Sequence, residues 1–186
     1  MSTKGFTLIE TLVAIAILTL SVAGPLLVAS RALVSAQIAQ EQLTASYLAQ
    51  EGIEYVRMMR DDEYLAAYQD GGSTVSSTAW SNFVSGTGSA SIAQCVSVAC
   101  TLDPINSALQ PCGGMGMSAC SSLPLYVESN GLYTQVATGN TKTPYVRTIQ
   151  ATPLSATEEK IVSTVLWVSH GQTYSVSVDD HLTAWQ

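Results

Sequence analysis

Charge is scarce in this sequence, and positive charge scarcest. Seven Lys and Arg stand against fourteen Asp and Glu, for a net charge of -7, and charged residues make up 11% of the chain, against about 25% in an ordinary soluble domain. Without clustered cations nothing neutralises a phosphate backbone, so no nucleic-acid binding is expected. Histidine is limited to His170 and His181, both distant in sequence from the cysteines. His170 reads as a turn residue and Asp179-Asp180-His181 as a polar turn. The acidic cluster Asp61-Asp62-Glu63 leads into no calcium-loop pattern. No metal and no cofactor is therefore expected. Nucleophile elbows, phosphate loops and catalytic carboxylate pairs are missing too, so no catalytic residue is assigned.

Cysteine is absent outside residues 95–120, where Cys95, Cys100, Cys112 and Cys120 cluster in a loop-rich stretch. An even number in such a setting reads as two disulfides if the segment sits in an oxidising compartment. Four cysteines allow three connectivities. The local pairing of Cys95 with Cys100 and of Cys112 with Cys120 is favoured.

What the sequence does have is one long apolar run. Residues 11–30 contain no charge, and a helix of roughly 20 such residues spans a hydrocarbon core of roughly 30 Å. Lys4 precedes the run and Arg31 follows it. Lys4 with a free N-terminus favours a cytoplasmic start, leaving the bulk of the chain outside. A cleaved secretory signal would share the positive start, with small residues at 23–25 or 28–30 as cutting sites. The run is too long for that, and it carries a carboxylate, Glu10, at its cytoplasmic edge. An ionisable group at the border of an apolar helix is expensive unless paired, and is a functional hypothesis by default.

Glu10 closes the segment Lys4-Gly5-Phe6-Thr7-Leu8-Ile9-Glu10. This resembles the prepilin signature of the type IV pilin family, which includes the pseudopilins of type II secretion. The resemblance implies that a prepilin peptidase cuts between Gly5 and Phe6 and that Phe6 is N-methylated. Cleavage would leave a positive amine on Phe6, one helical turn from Glu10. In staggered stacking, Glu10 of one subunit would meet the amine of a neighbour and set the axial register.

The helical pattern continues beyond Arg31. Residues 32–60 are rich in Ala, Leu, Gln and Glu without Pro, and Ala45, Leu48, Gly52, Val56 and Met59 form one apolar face. Arg57 and Asp61, four apart, are placed to pair. Pro25 removes the backbone bond to the Ser21 carbonyl and is expected to kink the helix, with Gly24 beside it adding flexibility. Gly52 either weakens the helix or lets a sheet approach closely. The stretch 47–61 resembles the second helical half of minor pilins and small pseudopilins.

Asp70-Gly71-Gly72-Ser73 ends the helical region. Residues 74–124 read as a loop region with short elements. Residues 125–127, 133–136, 145–151, 160–169 and 173–178 read as strands, with turns at Ser129-Asn130-Gly131 and Ser169-His170-Gly171-Gln172. Tyr174, Val176 and Val178 share one face, expected to pack on the helix stripe. The end, Leu182-Thr183-Ala184-Trp185, again resembles minor pilins.

The expected fold is α+β: a long N-terminal helix, membrane-spanning in its first half, against a C-terminal antiparallel sheet, with a Cys-containing loop insert. The expected divisions are a leader at 1–5, a transmembrane and assembly half at 6–34, an amphipathic half at 35–69, a Ser/Gly/Cys-rich loop region at 70–124 and the sheet of the head at 125–186. The resemblance implies a structural subunit rather than an enzyme: a minor pilin of a type IV pilus, with a type II secretion pseudopilin and a single-pass anchored, adhesin-like surface domain as alternatives. Its partners would be other pilins, prepilin peptidase, the inner-membrane assembly platform and, before assembly, membrane lipid. It would begin as a single-pass inner-membrane protein with its globular part outside, and end in an extracellular or periplasmic filament.

Overall fold

The computed structural model describes residues 5, 7–71, 74–86 and 91–184. Lys4, Phe6, Gly72, Ser73 and Trp185 lie outside the described residues. Helix α1 (Leu8–Gln69) is 62 residues long and passes through Pro25. It is followed by α2 (Val75–Ser85), the single turn α3 (Gln94–Ser97), β1 (Cys100–Asp103), β2 (Ala108–Pro111), β3 (Tyr126–Val127), β4 (Tyr133–Thr134), β5 (Thr141–Lys142), β6 (Val146–Ser155), β7 (Glu158–Ser169) and β8 (Gln172–Thr183). The chain divides into two units, Met1–Glu41 and Gln42–Gln186.

In the first unit the described residues form helix almost throughout, and residues 7–37 are exposed. Leu8, Leu20 and Leu33 keep more than 70% of their surface in contact with the surroundings. Soluble folds bury such side chains, so this stripe requires an apolar solvent or partner.

In the second unit, α1 packs against a five-stranded antiparallel sheet of order β2-β1-β6-β7-β8. The expected stripe is buried: Ala45, Leu48, Gly52, Val56 and Met59 all face inward, joined by Ala49, Ile53 and Tyr55. Period-two patterning selects the opposing face. On β7, Ile161, Ser163, Val165 and Trp167 are buried; on β6, Arg147, Ile149 and Ala151 are. Tyr174, Val176 and Val178 of β8 are half-buried against the same core. Small residues let helix and sheet approach closely. A Cβ built on Gly52 would stand 2.5 Å from Ser163 Oγ and 2.9 Å from Ile149 Cδ1.

The β7–β8 hairpin turns at His170-Gly171, both with positive φ (49° and 78°), as a tight primed turn demands. A second, three-stranded sheet has the order β4-β3-β5. The stretch 74–124 is more ordered than a loop region. Its α2 buries Ala79, Trp80 and Phe83, and the β1–β2 hairpin extends the main sheet through Cys100 opposite Ile149. Disulfides Cys95–Cys100 and Cys112–Cys120 staple this stretch, and the Sγ–Sγ pairs close local loops.

Two local expectations are corrected. Arg57 does not pair with Asp61. It reaches Asp180 of β8 at 2.8 Å and Glu54 at 2.6 Å, while Asp61 pairs with Arg60. The sheet supplies a better-placed carboxylate than the helix's next turn. Asp179-Asp180-His181 is not a turn but part of β8, where cross-strand partners hold each side chain: Lys160 with Asp179 and Glu158 with His181 on β7, and Arg57 with Asp180 on the helix.

Candidate functional site

The start of the helix is built from its own sequence. The Glu10 backbone N–H donates to the Thr7 carbonyl at 3.1 Å and to Thr7 Oγ1 at 3.4 Å. Thr7 thus caps the helix, and Glu10 occupies its first turn. A Thr three residues before a Glu is the capping-box spacing, and a carboxylate there faces the positive end of the helix dipole. Sequence reasoning overlooked the cap, although its signal lay inside the motif. Glu10 is exposed, as is Gly5, so both stand open to another molecule. Phe6 lies outside the described residues, so no geometry relates Glu10 to it.

The apolar run has a second property fitted to a bilayer. All four hydroxyls in residues 11–30 are satisfied within their own helix. Thr11 donates to the Leu8 carbonyl, Thr19 to Ala16, Ser21 to Leu18 and Ser30 to Leu27, at 2.8–2.9 Å. In hydrocarbon an unsatisfied polar group costs several kcal/mol, on the order of 2–7. Here only Pro25, which has no N–H for the Ser21 carbonyl, breaks the pattern of internal satisfaction. No break in the helix accompanies it.

In the head, the most constrained polar residues join helix to sheet. Arg147 is fully buried on β6. Its Nη1 donates to the Leu48 carbonyl at 3.1 Å and to Glu51 Oε2 at 2.5 Å, and its Nη2 donates to the Leu102 carbonyl at 2.9 Å. Burial pulls its guanidinium down, and the Glu51 carboxylate opposes this; an arginine remains charged nonetheless. One side chain thereby fixes α1, β1 and β6. Asp103 does the same for the outer loops. It accepts five hydrogen bonds: from the backbone N–H of Ile105, Asn106 and Gln135, from Asn106 Nδ2 and from Thr134 Oγ1, at 2.8–3.2 Å. Burial alone would raise its carboxyl, but the donors from Asn106, Gln135 and Thr134 together hold it below its ordinary value. Neither residue was singled out from sequence. The available signal was a lone Arg within an apolar strand of a chain holding only seven cations.

A 62-residue helix, apolar and exposed over its beginning and followed by a disulfide-stapled α+β head, suits a single-pass membrane anchor with a globular domain. The first residues then narrow the class. The prokaryotic N-terminal methylation motif, that of the type IV pilin family, matches residues 1–24. This motif supports a type IV pilin-like protein and points to a structural role; it suggests processing by prepilin peptidase and packing with other pilins. No curated protein and no solved structure matches this chain.

Proposed function

We propose that this chain is a minor pilin of a type IV pilus, incorporated into the filament or priming its assembly. Residues 1–5 are its leader, cut between Gly5 and Phe6, and Phe6 is the N-methylated first residue of the mature subunit. Residues 6–34 hold the subunit in the inner membrane and then in the filament core. Gly24 and Pro25 form the flexible point of that half, and the head from residue 70 onward faces outward.

The observation that carries this reading is the sequence Gly5-Phe6-Thr7-Leu8-Ile9-Glu10 opening an exposed apolar helix. Residues 7–37 have no protein packed over them within the chain, so lipid must cover them first and sister helices afterwards. In that apolar medium the carboxylate of Glu10 is stable only with a partner. The amine released on Phe6 of a neighbouring subunit provides one at the cost of fixed stagger. The test is mass spectrometry of the native protein purified from its membrane. The expected first residue is N-methylated Phe6; retention of Met1, or a start near Ser30, would overturn the proposal.

A further inference from the structure

The main sheet has two edges, and only one is closed to further strands. At one edge, β2 is four residues long and ends in Pro111, which has no N–H to offer. At the other, β8 runs for 12 residues, and no described element pairs with its outer side. Residues 172–178, Gln-Thr-Tyr-Ser-Val-Ser-Val, contain no charge and no Pro, and charge begins only at Asp179. The register with β7 is unbroken, without a bulge. The usual devices that keep an edge strand from pairing are therefore missing over this half of β8.

The β7–β8 turn fixes which backbone groups are free. A two-residue primed turn joins its flanking residues, here the Ser169 carbonyl and the Gln172 N–H. Bonded and non-bonded pairs then alternate along the register. Gln172, Tyr174, Val176 and Val178 direct their backbone bonds to β7, whereas Thr173, Ser175 and Ser177 direct theirs outward. The side chains of those three are exposed as well.

A second copy of β8 matches this edge when it runs antiparallel with Ser175 opposite the partner's Ser175. Thr173 then faces the partner's Ser177, each with its backbone groups turned toward the other, and Tyr174 faces the partner's Val176 on the helix-facing side. Thr–Ser and aromatic–β-branched pairs both favour such pairing. Other registers are worse. Centring on Thr173 leaves only residues 172–174 of the strand in overlap. Centring on Ser177 sets Asp180 against Tyr174, and centring on Asp179 sets that carboxylate against its own copy, where like charges repel. We infer that β8 is a self-pairing edge, through which two copies of this chain join as antiparallel strands centred on Ser175. The contact is two-fold and closed, so it makes a pair and stops, unlike the head-to-tail stacking that builds a filament.

The test uses the full chain in detergent micelles, mildly oxidised and read on non-reducing gels. Opposed residues in the inferred pair have Cα atoms about 5.5 Å apart, within disulfide range. Thr173 and its own copy are four residues out of register, about 13 Å apart, which no disulfide spans, and the same holds for Ser177. Ser175→Cys should therefore give a cross-linked dimer. Thr173→Cys and Ser177→Cys should each stay monomeric, but a mixture of the two should cross-link. Ser175→Pro, added to both members of that mixture, removes an outward N–H without breaking a bond to β7 and should abolish the cross-link. A monomeric Ser175→Cys would overturn the inference. So would equal cross-linking of all three single variants, which reports only collision or contact through the apolar helix, or cross-linking that survives Ser175→Pro.

Discussion

A methyl group on Gly52 would stand 2.5 Å from the Ser163 hydroxyl oxygen, closer than any carbon and oxygen rest without a bond. The second unit is assembled around that approach. Ser163 is fully buried and its Oγ has no hydrogen-bond partner among the described residues. Its fit against the helix backbone is therefore steric.

Gly52→Ala should accordingly destabilise the head, although alanine is the better helix former. The added methyl must displace Ser163 Oγ and Ile149 Cδ1, and overpacking of this kind costs about 1–3 kcal/mol. Denaturant unfolding of the full chain in detergent, followed by Trp fluorescence, measures it. Ser163→Ala combined with Gly52→Ala should recover part of the loss, because it removes the nearer of the two clashing atoms.

Arg147→Met should cost far more than Glu51→Gln. Removing the guanidinium takes one donor from each of the Leu48 and Leu102 carbonyls and the cation from Glu51, a loss of about 3–5 kcal/mol for a broken buried network. Glu51 is 42% exposed on its side chain, so water compensates its loss and the change should be about 1 kcal/mol or less. Unfolding midpoints of the two variants provide the comparison. Equal effects would contradict the role of Arg147 as the tie between α1, β1 and β6.

Acid should weaken the head through Asp103. A carboxyl whose folded value is depressed contributes stability above its unfolded value of about 4, and loses it as pH falls through the folded value. Asp180, held down chiefly by its hydrogen bond from Arg57, acts in the same direction. Asp103→Asn, which sets an amide N–H₂ among donors, should cost about 1–3 kcal/mol at neutral pH. Its deficit against the parent should shrink below about pH 4. A deficit independent of pH would show that the carboxylate charge is not what the five donors recognise.

Glu10→Ala should leave membrane insertion intact and impair incorporation into filaments. The substitution removes the carboxylate but neither the apolar run nor the Thr7 cap, whose bonds use the backbone N–H of residue 10. Membrane fractionation and immunoblotting of sheared filaments separate the two effects. Normal incorporation would remove the register role assigned to Glu10.

The long helix, its apolar start and its inward stripe were all legible in the chain, because they rest on local periodicity and uninterrupted length. The stripe Ala45, Leu48, Gly52, Val56 and Met59 is the buried face, and the hairpin closing at His170-Gly171 follows from the turn chemistry of two residues. The stretch 74–124 was harder to read. The pattern of α2 is masked by Ser and Thr around its three buried residues, and β1 and β2 are four residues each, too short for a period to show. Arg57 was assigned to the wrong partner because a spacing of four is visible in sequence, whereas Asp180, 123 positions away, is not.

The amino-acid order alone was enough to reveal the apolar run, the scarcity of charge and the N-terminal motif, since hydropathy, charge and a six-residue pattern are local properties. Folding was needed to show that Gly52 is a contact point and that Arg147 and Asp103 anchor the head. Each of these depends on which groups burial brings together from distant positions, and burial converts an ordinary polar side chain into a tie when it is paired.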